Sequence, residues 1–360
     1  MRAPTVPLAL LLRCAPLAIV SCAGDPGDEG ESASSTEATS TTAAMSSSTE
    51  AMTSTTEATS TTSTTEATST TTAETTGETL DPPGSAGCGL APEQPVGGVV
   101  VELDVGPAGD GLRTFTLALP EGYDPSAPHR LILGYPGTNW TGEMIRPYLD
   151  LEATPGDAIP EIFVYPDPLW RDFDGWGNLG GWVLGPHAYP ADGDQDLVFT
   201  AAILDHVAER YCVDEDRIFV TGHSWGGDMA QVVACFLGDR ITAAAPAAAN
   251  RPYWFETGPD QFVKCPGGAA VWTFFGVADD HFTDQDYPGH YGDECRDFWL
   301  DQRACAGVDA SDDLGLGGAG ECVEYQGCDQ PTRYCLYGPA TQHQIPAYFG
   351  DAVMTWFRSF

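Results

Sequence analysis

The sequence has a single lysine, Lys264, and only 15 lysine and arginine residues against 52 aspartate and glutamate, a formal net charge of −37. Nucleic acid is excluded as a partner, because binding it needs a basic stripe to meet the phosphates. Acidic polysaccharides are disfavoured on the same ground, while neutral substrates stay open. Long apolar runs are missing too: no segment after the N-terminus is apolar enough for long enough to span a bilayer. Residues 31–79 lack large apolar side chains except Met45 and Met52. They are almost entirely Ser, Thr, Ala and Glu, and repeat one unit at Thr36–Thr41, Thr56–Thr61 and Thr65–Thr70. With nothing to bury, such a stretch cannot offset the entropy of ordering, and residues 22–80 read as a disordered, Ser/Thr/Glu-rich stalk.

The N-terminus has the character of an export signal. Arg2 and Arg13 supply charge, Val6–Leu12 and Ala15–Val20 are mostly apolar, and Ile19-Val20-Ser21-Cys22 resembles a bacterial lipobox. Residues 1–21 are therefore expected to be a lipoprotein-type signal peptide, with Cys22 lipidated and the protein held outside the cell at the envelope. A lipid anchor at Cys22 is the one membrane contact expected. Cysteine usage agrees with export: nine of the 11 cysteines follow residue 80, and the odd number leaves at least one unpaired within the chain. Cys212 precedes a strand and Cys235 lies on the helix that follows it, which predicts a Cys212–Cys235 disulfide at one edge of a sheet. Cys322, Cys328 and Cys335 are expected to pair among themselves or with Cys305.

From Gly84 to the end, large apolar residues become frequent, and 84–360 has the size of one folded domain. Val99–Val105 and Leu112–Leu119 alternate in polarity around Gly106–Gly111, which predicts a hairpin. Arg130–Gly134, Ile162–Tyr165, Arg217–Thr221, Ile241–Ala245 and Ala270–Phe275 are uninterrupted apolar runs, as in strands buried on both faces. Helical patterns cover Leu197–Tyr211, Trp225–Leu237 and Tyr348–Phe360. An antiparallel lead-in followed by alternating strands and helices predicts an open, mostly parallel α/β sheet, with functional residues just after the strands.

Gly222-His223-Ser224-Trp225-Gly226 follows one of these strands and opens a helix. A turn this sharp excludes a side chain at either glycine and leaves Ser224 Oγ projecting, which makes Ser224 the candidate nucleophile. A nucleophilic serine needs a base, and the base a carboxylate. His343, between the strand Arg333–Leu336 and the last helix, is the candidate base; His281 and His290 are expected on the surface. Asp279, after Ala270–Phe275, is the candidate acid, with Asp280, Asp284 and Asp286 as alternatives. This acidic cluster lacks the spacing of a calcium loop and is expected to be a solvated turn; no metal and no cofactor are expected. The oxyanion donors expected are the N–H of Trp225 and that of Gly137 or Thr138, since Pro136 has none. Trp140, Trp170, Trp176, Trp182 and Trp225 fall in loops above the sheet, and Trp140, Trp182 and His223 are taken as substrate-contacting.

These residues resemble the secreted polyhydroxyalkanoate depolymerase and feruloyl esterase group of α/β-hydrolases. The resemblance runs from Gly87-Cys88-Gly89 through Tyr211-Cys212-Val213-Asp214 and the Ser224 motif. It continues through Gly276–Asp279 and Tyr325-Gln326-Gly327-Cys328 to His343 and Pro346. It implies an α/β-hydrolase fold, with helices on both faces of the sheet, and a Ser224, Asp279, His343 triad. Where that group has a His-Gly pair in the oxyanion loop, this chain has Tyr135-Pro136. The expected activity is hydrolysis of phenolic or acetyl esters of the plant cell wall, on a polymer-linked ester substrate and by a monomer. Two alternatives are a poly(3-hydroxybutyrate) or polyester depolymerase, and a tethered polymer-binding protein with an inactive hydrolase domain.

Overall fold

Apolar runs that have no polar face must be covered on both sides, and here they form the middle of one sheet. The computed structural model describes residues 84–360 except 155, 157–158, 186–192, 259–260, 283–288, 317–320 and 339–341. The signal peptide, the stalk, Cys22, Asp284 and Asp286 lie outside the described residues.

The chain opens with β1 (Gly97–Asp104) and β2 (Leu112–Leu119), the antiparallel hairpin expected. Next come β3 (His129–Tyr135), α1 (Gly142–Leu149), β4 (Ile162–Pro166) and a separate two-stranded hairpin, β5 (Leu169–Phe173) and β6 (Gly177–Gly181). Then follow α2 (Gln195–Arg210), β7 (Val213–His223), α3 (Trp225–Phe236), β8 (Ala243–Ala247) and a short hairpin, β9 (Glu256–Gly258) with β10 (Gln261–Phe262). The order ends with β11 (Ala270–Gly276), α4 (His290–Gln302), β12 (Ser311–Asp313), β13 (Glu321–Tyr325), β14 (Thr332–Tyr337) and α5 (Phe349–Phe357).

Ten strands make one sheet in the order β1-β2-β4-β3-β7-β8-β11-β14-β13-β12. The six from β4 to β14 in that order run parallel, and antiparallel pairs flank them. Period-two alternation sends Leu131, Val220 and Val271 to one face, under α2, α3 and α4. Ile132, Phe219 and Trp272 go to the other, under α1 and α5. The layers are those of an α/β-hydrolase. Among the described residues no helix is long and apolar enough to cross a membrane.

One expectation is corrected. Cys212 pairs with Cys88, not with Cys235, and Cys235 pairs with Cys265. The turn around Cys88 docks on the entry to β7, where Ser85 N donates to Val213 O and Gly87 N to Ala208 O. Gly267 N, in the segment leading to β11, donates to Cys235 O. The remaining pairs are Cys305–Cys328 and Cys322–Cys335. Cys295 is free and buried, its thiol on Asn250 O at 2.9 Å.

Candidate active site

Strand β7 ends at His223 and α3 begins at Trp225, so one residue makes the whole turn. Ser224 adopts φ 60°, ψ −130°, a conformation side-chain-bearing residues rarely take. The surroundings fix it: Ser224 N donates to Ala247 O at 3.0 Å, and Asp228 N donates to Ser224 O at 3.0 Å. Both flanking glycines are required by space. A Cβ on Gly222 would lie 2.2 Å from Gly226 O, and one on Gly226 would lie 2.1 Å from Tyr135 O.

His343 sits in the loop between β14 and α5. Its Nε2 is 2.8 Å from Ser224 Oγ and its Nδ1 2.7 Å from Asp279 Oδ2. An ionised carboxylate can only accept, so the ring proton belongs on Nδ1 and Nε2 is left to accept from the serine hydroxyl. The loop is pinned in three places. Tyr337 Oη donates to Gln344 O at 2.6 Å, Ile345 N to Tyr148 Oη at 3.0 Å, and His343 N to Asp280 Oδ1 at 3.2 Å.

Asp279 follows β11 and is buried. Its Oδ1 accepts N–H bonds from His281 at 2.9 Å and Phe282 at 2.8 Å, which aims Oδ2 at the imidazole. Asp280 turns outward; hydrogen bonds from the His281 ring and the His343 backbone hold its carboxyl below the usual range. Of the two, Asp279 is the one in contact with the histidine ring.

The loop after β3 lies against the serine. A Cβ on Gly137 would sit 3.0 Å from Ser224 Cβ and 3.1 Å from His223 O, so glycine permits the approach. Asn139, at φ 62°, ties this loop to β6 twice: its N donates to Gly180 O at 2.8 Å and its Oδ1 accepts from Gly180 N at 2.9 Å. Among the described residues, the N–H groups of Gly137, Thr138 and Trp225 have no protein acceptor, so they are free to meet a developing oxyanion.

A cleft of about 360 Å³ opens over Ser224, walled by Trp140, Tyr148, His223, His281 and Gln344. Trp182 corrects the sequence reading: it is 1% exposed and does not line the cleft. Its Nε1 donates to Pro136 O at 2.8 Å, so it braces the loop after β3 from behind. His281 was expected as a plain surface residue. Its ring is open to solvent but stacks on His343, centroids 4.3 Å apart and planes 18° apart. Tyr148 and Gln344 were missed, since neither stands in a motif; Tyr148 lies on α1, a helix interrupted by Pro147. Asp279, His281 and His343 offer three ligand atoms within 4.8 Å of one another. His343 Nδ1 already donates to Asp279, however, so an ion there would compete with that bond.

His223 is buried beside this machinery, its ring 5.0 Å from Tyr148 and 4.9 Å from His343. Burial, reinforced by the neighbouring His343, pushes its pKa from 6.5 down to about 3. The ring is thus neutral near pH 7 and adds no positive charge beside the His343 imidazole. Between those values the unfolded chain binds a proton that the folded chain refuses, so this contribution to stability falls as pH drops below 6.5. Urea unfolding at pH 7 and pH 5 is expected to show wild type losing about 2 kcal/mol more than His223→Asn. Equal losses would contradict the assignment.

No protein-family model matches the chain. It is similar to feruloyl esterase C of Emericella nidulans, 30% identical over 232 residues, covering 62% of this chain and 74% of that protein. Feruloyl esterase D of Neurospora crassa is 28% identical over 260 residues, covering 68% of this chain and 77% of that protein. Among solved structures, an acetyl xylan esterase from Aspergillus awamori superposes with a TM-score of 0.54 at 17% identity, over 72% of this chain and 99% of that one. An S-formylglutathione hydrolase from Agrobacterium tumefaciens gives 0.50 at 15% identity, over 75% and 98%. At such identities the two structures speak for the fold alone.

Proposed function

The chain belongs to the feruloyl esterase family of α/β-hydrolases, and from that premise we propose that it is an exported serine esterase cleaving phenolic esters of the plant cell wall. The observation that supports the serine mechanism is the relay Ser224 Oγ, His343 Nε2, His343 Nδ1, Asp279 Oδ2, with contacts of 2.8 and 2.7 Å. His343 takes the proton of Ser224 as Oγ attacks the acyl carbon. The N–H groups of Trp225 and of Gly137 or Thr138 hold the oxyanion. The imidazolium then protonates the leaving alcohol, and the ester becomes an acyl-serine. Water, deprotonated by His343, releases the acid and restores the serine. Asp279 keeps the proton on Nδ1 throughout and stabilises the imidazolium.

The aromatic wall of the cleft, Trp140 with Tyr148 at 5.2 Å, supports a planar aromatic acyl group over a short aliphatic one. The acidic surface disfavours anionic polymers and leaves neutral ones. Four disulfides support an oxidising, extracellular location. In this reading Cys22 carries the lipid and the stalk holds a monomeric domain away from the envelope.

The test is kcat/KM for methyl ferulate beside methyl 3-hydroxybutyrate and acetylated xylan, using the disulfide-formed protein. Methyl ferulate is expected to lead by at least about 10-fold, the worth of one well-packed ring. A lead for the hydroxybutyrate ester would move the protein to polyester hydrolysis.

A further inference from the structure

The hairpin of β5 and β6 is seated on the residue that follows the nucleophile. Phe173 packs on the Trp225 ring at 4.7 Å, Trp176 meets it edge-on at 5.4 Å, and a Cβ on Gly181 would overlap it at 2.6 Å. Yet this hairpin leaves two indoles in water: Trp170 is 61% and Trp176 45% exposed, whereas Trp182, Trp254, Trp272 and Trp299 are wholly buried. Trp170 stands opposite Gly180, and its ring lies on that glycine, whose Cβ would be 3.4 Å from Cε2. One indole face therefore rests on backbone and the other faces solvent. Asp172, two residues along and so on the same face, is exposed and accepts from Asn178 Nδ2 at 3.3 Å.

The ribbon is also anchored unusually firmly. Arg171 Nη1 donates to Gly181 O at 3.0 Å and to Asp196 Oδ2 at 3.1 Å, and its Nη2 to Asp110 Oδ2 at 2.8 Å. Asp196, fully buried, also takes Arg113 Nη2 at 2.7 Å and Val183 N at 2.6 Å. Buried charges stabilise little on balance, but they fix geometry. Here they fix the base of an aromatic surface beside the reacting centre.

An ester extends in two directions from its carbonyl carbon. The cleft walled by Trp140 and Tyr148 takes one planar arm, and the open ribbon lies beside the other side of the nucleophile turn. We infer that the exposed Trp170 indole forms the alcohol-side subsite, a surface on which a sugar ring of a neutral polysaccharide stacks its C–H face. Asp172 and Asn178 meet the ring hydroxyls. The inference rests on the esterase reading and names the polymer that presents the ester.

The test uses two substrates that share the feruloyl group and differ in the alcohol: methyl ferulate and a feruloylated arabinoxylan oligosaccharide. In Trp170→Ala, KM for the oligosaccharide is expected to rise about 10-fold with kcat little changed, while kcat/KM for methyl ferulate moves less than about two-fold. Trp170→Tyr, which keeps a ring, restores most of the loss. Equal losses on both substrates would mean that the indole only braces Gly180 and, through it, the Asn139 loop, and no loss on either that sugar does not reach it; both overturn the inference. A dimer in the wild type that Trp170→Ala dissolves would assign the ribbon to self-association and overturn it too. Calorimetry of unesterified xylo-oligosaccharide with Ser224→Ala needs no turnover, so it separates failure of the platform from failure of the esterase reading. Binding that disappears with Trp170→Ala supports the platform, and absence of binding overturns it.

Discussion

Ser224→Ala is expected to lower kcat on methyl ferulate by about 10⁶-fold, the loss seen when the nucleophile of a serine triad is removed. The size of the effect follows from the geometry. Among the described residues, Oγ is the atom held both 2.8 Å from His343 Nε2 and beside the Gly137 loop. What remains is the stabilisation from the oxyanion donors and binding. The substitution removes one oxygen and leaves the backbone bonds of Ser224 N and O untouched, so the thermal midpoint should move little. KM should also stay close to that of wild type, because the hydroxyl is not needed to bind the ester. A loss of less than about 100-fold, measured on protein free of wild-type carry-over, would remove Ser224 from the mechanism.

Asp279→Asn is expected to lower kcat by about 10⁴-fold while the fold survives. An amide that places its NH2 toward His343 forces Nδ1 to accept, which moves the ring proton to Nε2. The imidazole then points a proton at Ser224 and cannot receive one. Asp280→Asn should cost less than about 10-fold, since of His343 it reaches only the backbone N–H, at 3.2 Å, and its other partner is the exposed His281 ring. Steady-state kinetics on the two variants separate the neighbouring carboxylates. The reverse ranking would assign the role to Asp280.

The parts legible in the sequence were those where local pattern and tertiary demand coincide. Gly222 to Gly226 was readable because an apolar strand led in and a helix led out, and only a turn that excludes Cβ atoms joins them there. Asp279 and His343 were readable from their places after strands. Trp182 misled because it follows two glycines and reads as loop, whereas its indole closes over the loop after β3 to satisfy Pro136 O. The disulfide of Cys212 was misassigned because strand and helix lengths fix which end of the sheet a residue reaches, but not which neighbour it meets. Cys88 comes from a segment 124 residues earlier. Helix α4 escaped detection since its sequence is largely polar, with Phe298, Trp299 and Leu300 crowded at one end. The Trp170 ribbon was visible as tryptophans in loops, but its exposure depends on the Arg171 and Asp196 clamp, a contact between distant segments.

Labelling with a fluorophosphonate, followed by peptide mass spectrometry, shows whether Ser224 is the activated nucleophile, because the reagent bonds only to a serine whose base and oxyanion site are assembled. One adduct per chain is expected, on the peptide carrying Ser224, with ester hydrolysis lost in proportion to labelling and no adduct in Ser224→Ala. An adduct on another serine, or full hydrolysis by protein labelled at Ser224, would contradict the account.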